Sequence, residues 1–203
     1  MGGTSMAVAR WQKDSFYVEK VFAGTTLDIG GAGDCIARYR AELPNLGTVT
    51  GLDLDRQPDG LTDTEWLQMP ATQLEPSRTW HTVYSSHCLE HIHQHLLPMM
   101  RDAMWAAVQP GGYLVLIVPD MEMYERGHWP SRFNCDHKTA WRIARLPDDP
   151  SHVEGLLSYV VQLPGANITR LHRLTDNYVP GPYDQTSTGA CESGIEVVVR
   201  KTA

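Results

Sequence analysis

The sequence predicts an α/β fold, a parallel sheet covered by helices on both faces. Two observations carry this. From Thr25 onward, short apolar segments alternate with segments whose apolar residues recur at helical spacing. Tyr113 to Val118 is apolar throughout, as a central parallel strand buried on both faces requires.

Residues 1–24 read as an N-terminal lead-in anchored by Trp11, Phe16, Val18 and Val21. Thr25 to Ile29 is a strand that runs into glycines. Cys35, Ile36, Tyr39 and Leu43 then mark a helix that Pro44 stops. Val49 to Leu54 is the second strand. Trp66 to Met69 is a weak third, because Pro70 cannot donate to a ladder. Trp80 to Tyr84 is the fourth. Leu96, Leu97, Met100, Met104 and Val108 line one helix face, ended by Pro110-Gly111-Gly112.

Beyond Val118 the rhythm breaks. Residues 120–150 form an insertion with little periodicity until Lys138 to Leu146. Ser151 and Glu154 make a capping-box signature before Leu156, Leu157, Val160 and Val161, and Pro164-Gly165 closes that helix. Gly194 to Lys201 alternates, with Ile195, Val197 and Val199 on one face, and reads as a final strand. No linker divides the chain, so 1–203 is expected to be a single domain.

Composition narrows the function classes. The chain has 203 residues, 42% apolar and 20% charged, which is ordinary for a globular protein. It has no apolar run of the roughly 18 residues a membrane span needs. It opens with no basic-then-apolar leader, and Met6 stands where myristoylation wants Ser or Thr, so a cytoplasmic location is expected. Cys35, Cys88, Cys135 and Cys191 are scattered, which favours reduced thiols over a disulfide frame. A net charge of −7 without basic clusters argues against a nucleic-acid partner.

Four segments carry the chemistry: LDIGGAGD (Leu27 to Asp34), GLDLD (Gly51 to Asp55), SSHCLEH (Ser85 to His91) and QPGGYLVLIVPD (Gln109 to Asp120). A nucleotide with a charged tail needs backbone amides brought close, which small residues between a strand and a helix permit. A carboxylate at the end of the second strand, here Asp53, can accept both ribose hydroxyls. Reading G-x-G-x-x-G from Gly31 puts Ile36 at the third glycine, which argues against a dinucleotide oxidoreductase.

In this order the segments resemble the class I S-adenosylmethionine-dependent methyltransferases. The resemblance covers about residues 25–120. It implies a Rossmann-like three-layer α/β/α sandwich, with a mostly parallel seven-stranded sheet and an antiparallel last strand. It also implies S-adenosyl-L-methionine as cofactor. Asp28 would face the cofactor's amino-acid end, with Gly30, Gly31, Ala32 and Gly33 around it, Ala32 standing for a usual glycine. Asp53 would hold the ribose, with Leu54 beside it. Pro70 stands where the family has an acid facing adenine, which leaves a backbone amide at Ala71. Ser86 and His87 would border the methyl-donor sulfur.

The donor is already activated, so the enzyme mainly aligns the acceptor and excludes water, with a base only where a proton must leave. The fourth strand is followed neither by D/N-P-P-Y nor by Pro-Cys, which disfavours nucleic-acid base methylation. Asp120, Tyr124, His128, Trp129, Asn134, Asp136 and His137 are the candidate acceptor contacts, with His137 and Asp120 as candidate bases. Trp129 and Phe133 could instead form a small core of the insertion. Tyr178, Tyr183 and Asp184 could cover the same mouth. The expected reaction is methyl transfer to oxygen or nitrogen of a small polar or sugar-like acceptor. One rival is a non-catalytic module that binds the cofactor. The other is a zinc hydrolase, since His87-x-x-Glu90-His91 fits the H-x-x-E-H arrangement and a helix would put His91 and His95 on one face. That rival leaves the glycine turn and Asp53 unexplained, so no metal ligand is assigned. His91 is instead expected to start a helix and bond a neighbouring loop.

Overall fold

The computed structural model describes residues 6–74, 77–180 and 191–202. Its strands are β1 (Thr26–Ile29), β2 (Val49–Asp53), β3 (Glu65–Gln68), β4 (Trp80–Ser86), β5 (Val108–Pro119), β6 (Ala140–Arg142), β7 (Val153–Gly155), β8 (Ala166–Leu174) and β9 (Gly194–Lys201). Its α-helices are α1 (Met6–Trp11), α2 (Leu97–Ala107) and α3 (Leu156–Val161). Seven strands form one sheet in the order β3-β2-β1-β4-β5-β9-β8. β1 to β5 run parallel, and β9 enters antiparallel between β5 and β8. This is the Rossmann-like arrangement, with the antiparallel last strand that the motifs imply. Strand order reverses between β1 and β4, and ligands of such sheets bind at the carboxyl ends there.

Apolar side chains cover both faces. On one, α2 and α3 bring Leu97, Met100, Met104, Leu156 and Val160 against Leu27, Val83, Leu114 and Leu116 of the sheet. On the other, Trp11, Tyr17, Val21, Phe22, Ile36 and Leu43 pack on Val49, Tyr84, Val115 and Val198. The lead-in is also tied down by polar contacts. Glu196 of β9, fully buried, accepts hydrogen bonds from Trp11 Nε1 at 2.9 Å and Arg10 Nη2 at 3.1 Å, and from the Tyr17 hydroxyl.

Several elements differ from the sequence pattern. Cys35 to Leu43 holds one short helical turn, Ile36–Tyr39, because its apolar residues are used to close the glycine loop onto the sheet. The helix after His95 ends at Ala107, and Val108 already pairs with Trp80. Lys138 to Leu146 contains the short strand β6, paired with β7. The capping box is not formed. Glu154 lies in β7 and accepts from Gln94 Nε2 at 2.9 Å, while Gly155 occupies the N-cap of α3. β8 escapes the pattern because its register shifts between Ile168 and Arg170, which breaks the alternation of faces. Among the described residues, no cysteine is paired in a disulfide and no helix is long and apolar enough to cross a membrane.

Candidate active site

β1 ends in a turn that only glycine can make. Gly30 has φ +85°, and a Cβ there would lie 2.8 Å from Cys88 Cβ. A Cβ on Gly31 would press against the Asp28 carboxyl at 3.2 Å, whereas Gly33 has nothing within 4 Å and borders open space. Asp28 itself is buried, and its Oδ2 accepts from the Ile36 amide at 2.7 Å. Burial pushes its carboxyl up to about 7, with Asp34 and Asp53 adding to the effect and the Ile36 and Cys35 hydrogen bonds opposing it.

β2 ends at Asp53, one strand away. Asp53 Oδ2 accepts from the Ala32 amide at 2.9 Å and Oδ1 from the Asp55 amide at 3.1 Å, so the second strand end buttresses the glycine turn. Leu54 follows with 67% of its surface exposed. Ala71 opens a helical turn after Pro70, and the Met69 amide just before it donates to the Asp53 carbonyl at 2.9 Å.

β4 ends at Ser86, and the chain turns sharply through His87, whose φ is +50°. A left-handed residue of this kind persists only where its surroundings fix it. The His87 amide donates to the Ile117 carbonyl of β5 at 3.0 Å. Its side chain is half exposed, with Nδ1 3.4 Å from Glu90 Oε1. Partial loss of solvent alone would lower the imidazole pKa, but the Glu90 carboxylate outweighs it and leaves the pKa raised. Glu90 is buried in the turn Leu89–His91, and its carbonyl accepts from the Lys138 and Thr139 amides at 2.7 and 3.0 Å. Those bonds bring the insertion onto the β4 loop and set His137 beside His91, with ring centres 5.1 Å apart. His137 is buried too, and its Nδ1 lies 2.6 Å from Glu125 Oε1.

These segments enclose a cavity of about 430 Å³ at the carboxyl ends of β1, β4 and β5. Asp28, Gly30 and Gly33 form one wall, and Ser86, His87, Glu90, His91 and His137 another. Tyr124 and Asn134 of the insertion also line it, and Met6 and Ala7 of α1 cover it. Asp53, Leu54 and Ala71 lie outside, beyond the glycine turn.

The remaining candidates are not brought to this cavity. Asp120 is the clearest correction. It is fully buried, with Oδ1 accepting from the Glu122 and Met123 amides at 2.7 and 3.0 Å and Oδ2 from Arg173 Nε at 2.9 Å. A carboxylate so engaged holds the turn after β5 and does not act as a base. Trp129 stacks on His152 and packs with Met121, Ala140 and Val153, while Phe133 sits apart against Tyr124, so the insertion has two small clusters. His128 and Asp136 are exposed. The Tyr178 hydroxyl donates to the Met123 carbonyl at 3.1 Å. Tyr183 and Asp184 lie outside the described residues. The helix expected to align His91 with His95 is replaced by two separate turns, and His95 stacks on His93. Glu125, the partner of His137, has no sequence signal; it is one of many polar residues in an aperiodic stretch.

Solved structures share this architecture. The N-methyltransferase NodS from Bradyrhizobium japonicum matches with a TM-score of 0.60 at 13% identity, covering 97% of this chain and 93% of that one. A SAM-dependent methyltransferase from Archaeoglobus fulgidus gives 0.62 at 16% identity, covering 97% and 93%. The Burkholderia thailandensis 1,6-didemethyltoxoflavin-N1-methyltransferase, solved with bound 1,6-didemethyltoxoflavin and S-adenosylhomocysteine, gives 0.60 at 15% identity, covering 98% and 80%. At such identities the likeness concerns the fold. No curated protein matches the chain in sequence. Residues 18–148, well over half of the chain, match the sequence model of a methyltransferase domain. Together with the sheet order and the turn at Gly30, that match makes the chain a member of the class I S-adenosylmethionine-dependent methyltransferases.

Proposed function

We propose that the protein transfers the methyl group of S-adenosylmethionine to an oxygen or nitrogen of a small polar or sugar-like acceptor held in the cavity. The observation that carries this reading is the division of the cavity between a glycine-and-carboxylate wall and an imidazole-rich wall.

The first wall fits the cofactor. Gly33 leaves open space beside the turn, and Leu54 exposes an apolar surface next to the ribose position. Asp28 would take the ammonium of the amino-acid end, and the turn from Gly30 to Gly33 would approach the carboxylate. Asp53 would exchange its bond with the Ala32 amide for the ribose hydroxyls. Leu54 and Ala71 would flank the adenine, where Pro70 offers no side-chain acceptor. Ser86 and His87 would sit nearest the sulfur. Bound there, the cofactor supplies an electrophilic methyl group. The second wall then orients the acceptor and excludes water. His137 would take the acceptor proton through Nε2, since Nδ1 is held by Glu125; Asp120 is left with a structural role.

Calorimetric titration with S-adenosylmethionine and S-adenosylhomocysteine tests the cofactor half, with Asp53→Ala as control. Labelled methyl transfer to panels of sugars, nucleotides and small metabolites then tests the acceptor half. Binding of neither compound overturns the reading.

A further inference from the structure

The acceptor wall holds more ligating groups than a methyl transfer needs. Glu90, His91 and His137 each offer an atom within 4.8 Å of the other two. They come from two segments far apart in sequence, and the amides of Lys138 and Thr139 pin those segments together through the Glu90 carbonyl. The Glu90 side chain is only 1% exposed, yet its Oε2 has no hydrogen-bond partner among the described residues. A buried carboxylate oxygen without a partner is costly, so a bare pocket does not explain this placement. His137 is oriented as a ligand would be. Its Nδ1 donates to the buried Glu125 carboxylate at 2.6 Å, which fixes the ring and leaves Nε2 to coordinate.

We propose that Glu90, His91 and His137 bind one divalent transition-metal ion on the acceptor wall of the cavity. Two imidazoles and one carboxylate suit a borderline ion such as cobalt, zinc or manganese, and three protein ligands leave positions open toward the cavity. Bonds of about 2.0–2.1 Å place adjacent ligand atoms about 3.3 Å apart, so the cluster needs to tighten slightly. His91, with 37% of its side chain exposed, is free to make that movement. An oxygen of the acceptor would complete the coordination; with the ion bound, His137 Nε2 is a ligand and no longer the base, and the ion instead lowers the acceptor's pKa so that its proton leaves to water. That last role rests on the methyl-transfer reading; the metal site itself does not.

The test uses the full chain stripped of metal with a chelator and titrated with Co²⁺, followed by visible absorption and calorimetry without S-adenosylmethionine. One equivalent binding with a ligand-field spectrum is expected. His91→Ala and His137→Ala should each weaken binding at least a hundredfold, and Glu125→Gln about 10–100-fold through loss of ring orientation. His93→Ala/His95→Ala, which removes the stacked pair outside the cavity, should leave it unchanged. If His137→Ala does not fold by circular dichroism, the half-exposed His91 decides the matter alone. No saturable binding, or binding that survives His91→Ala, overturns the proposal. Because the readout needs no cofactor, such a failure leaves the methyl-transfer reading standing.

Discussion

His137 Nδ1 and Glu125 Oε1 meet at 2.6 Å with both side chains almost wholly buried, 3% and 1% exposed. The carboxylate can only accept, so the pair fixes which imidazole nitrogen carries the proton. Truncating one partner strands the other in a low-dielectric site. His137→Ala should therefore cost about 3 kcal/mol, since it leaves the buried Glu125 carboxylate without its partner. Adding Glu125→Ala should recover part of the loss. Urea denaturation of the two single variants and the double variant checks this, with a coupling of about 1–3 kcal/mol expected for groups in contact. Strict additivity would mean the two side chains do not interact.

Asp28 gives the ligand-free protein a pH dependence. Its carboxyl is raised from 3.8 to about 7 by burial. The folded state therefore holds a proton that the unfolded state has lost. This contribution to stability is complete below about pH 4 and disappears as pH rises to about 7. Asp28→Asn should flatten that slope and make the ligand-free protein more stable at pH 8. An ammonium beside Asp28 favours the carboxylate, so affinity for S-adenosylmethionine should rise up to tenfold per pH unit below about 7 and then level off. Asp28→Asn should abolish that rise. Calorimetry between pH 5.5 and 8.5 measures both slopes, and a flat wild-type profile would remove Asp28 from cofactor contact.

The parts of the molecule legible in sequence are those set by local chemistry. Tyr113 to Val118 had to be a central strand because its residues are apolar without alternation, and the Asp28-to-Gly33 turn is encoded by its glycines. Cys35 to Leu43 shows the limit of periodicity, since the same apolar spacing serves a loop that closes on the sheet as well as a helix. β8 was hidden by its register shift. Asp120 looked like a base because it follows β5 at the carboxyl end of the sheet. Its partner Arg173 is 53 residues away, and no local pattern announces a contact of that range. Glu125 was invisible for the same reason, as its role depends on where the insertion folds.

Asp53 tests the ribose position. Its partly exposed carboxylate accepts from the Ala32 and Asp55 amides, both of which water can reach once the side chain is removed. Asp53→Ala should therefore change stability by less than about 1 kcal/mol. Loss of charge-assisted bonds to two ribose hydroxyls costs about 1.5–3 kcal/mol, or roughly ten- to hundredfold in affinity. Calorimetry and thermal unfolding on the same samples separate the two effects. A large drop in stability with unchanged affinity would make Asp53 a purely structural buttress.

The glycine turn separates folding from binding in one pair of substitutions. Gly30→Ala must adopt φ +85° and place a Cβ 2.8 Å from Cys88 Cβ. Left-handed strain and overpacking together should cost about 2–4 kcal/mol. Gly33→Ala meets nothing within 4 Å and has no positive φ to satisfy. It should leave stability unchanged or raise it by up to about 1 kcal/mol, because alanine restricts the unfolded chain. The same methyl group would project into the space beside the turn, where the cofactor's amino-acid end is proposed to lie, so affinity for S-adenosylmethionine should fall. Thermal unfolding and calorimetry of both variants read the contrast directly. Wild-type affinity in Gly33→Ala would show that the cofactor does not pass this side of the turn, and would move the proposed site toward the imidazole wall.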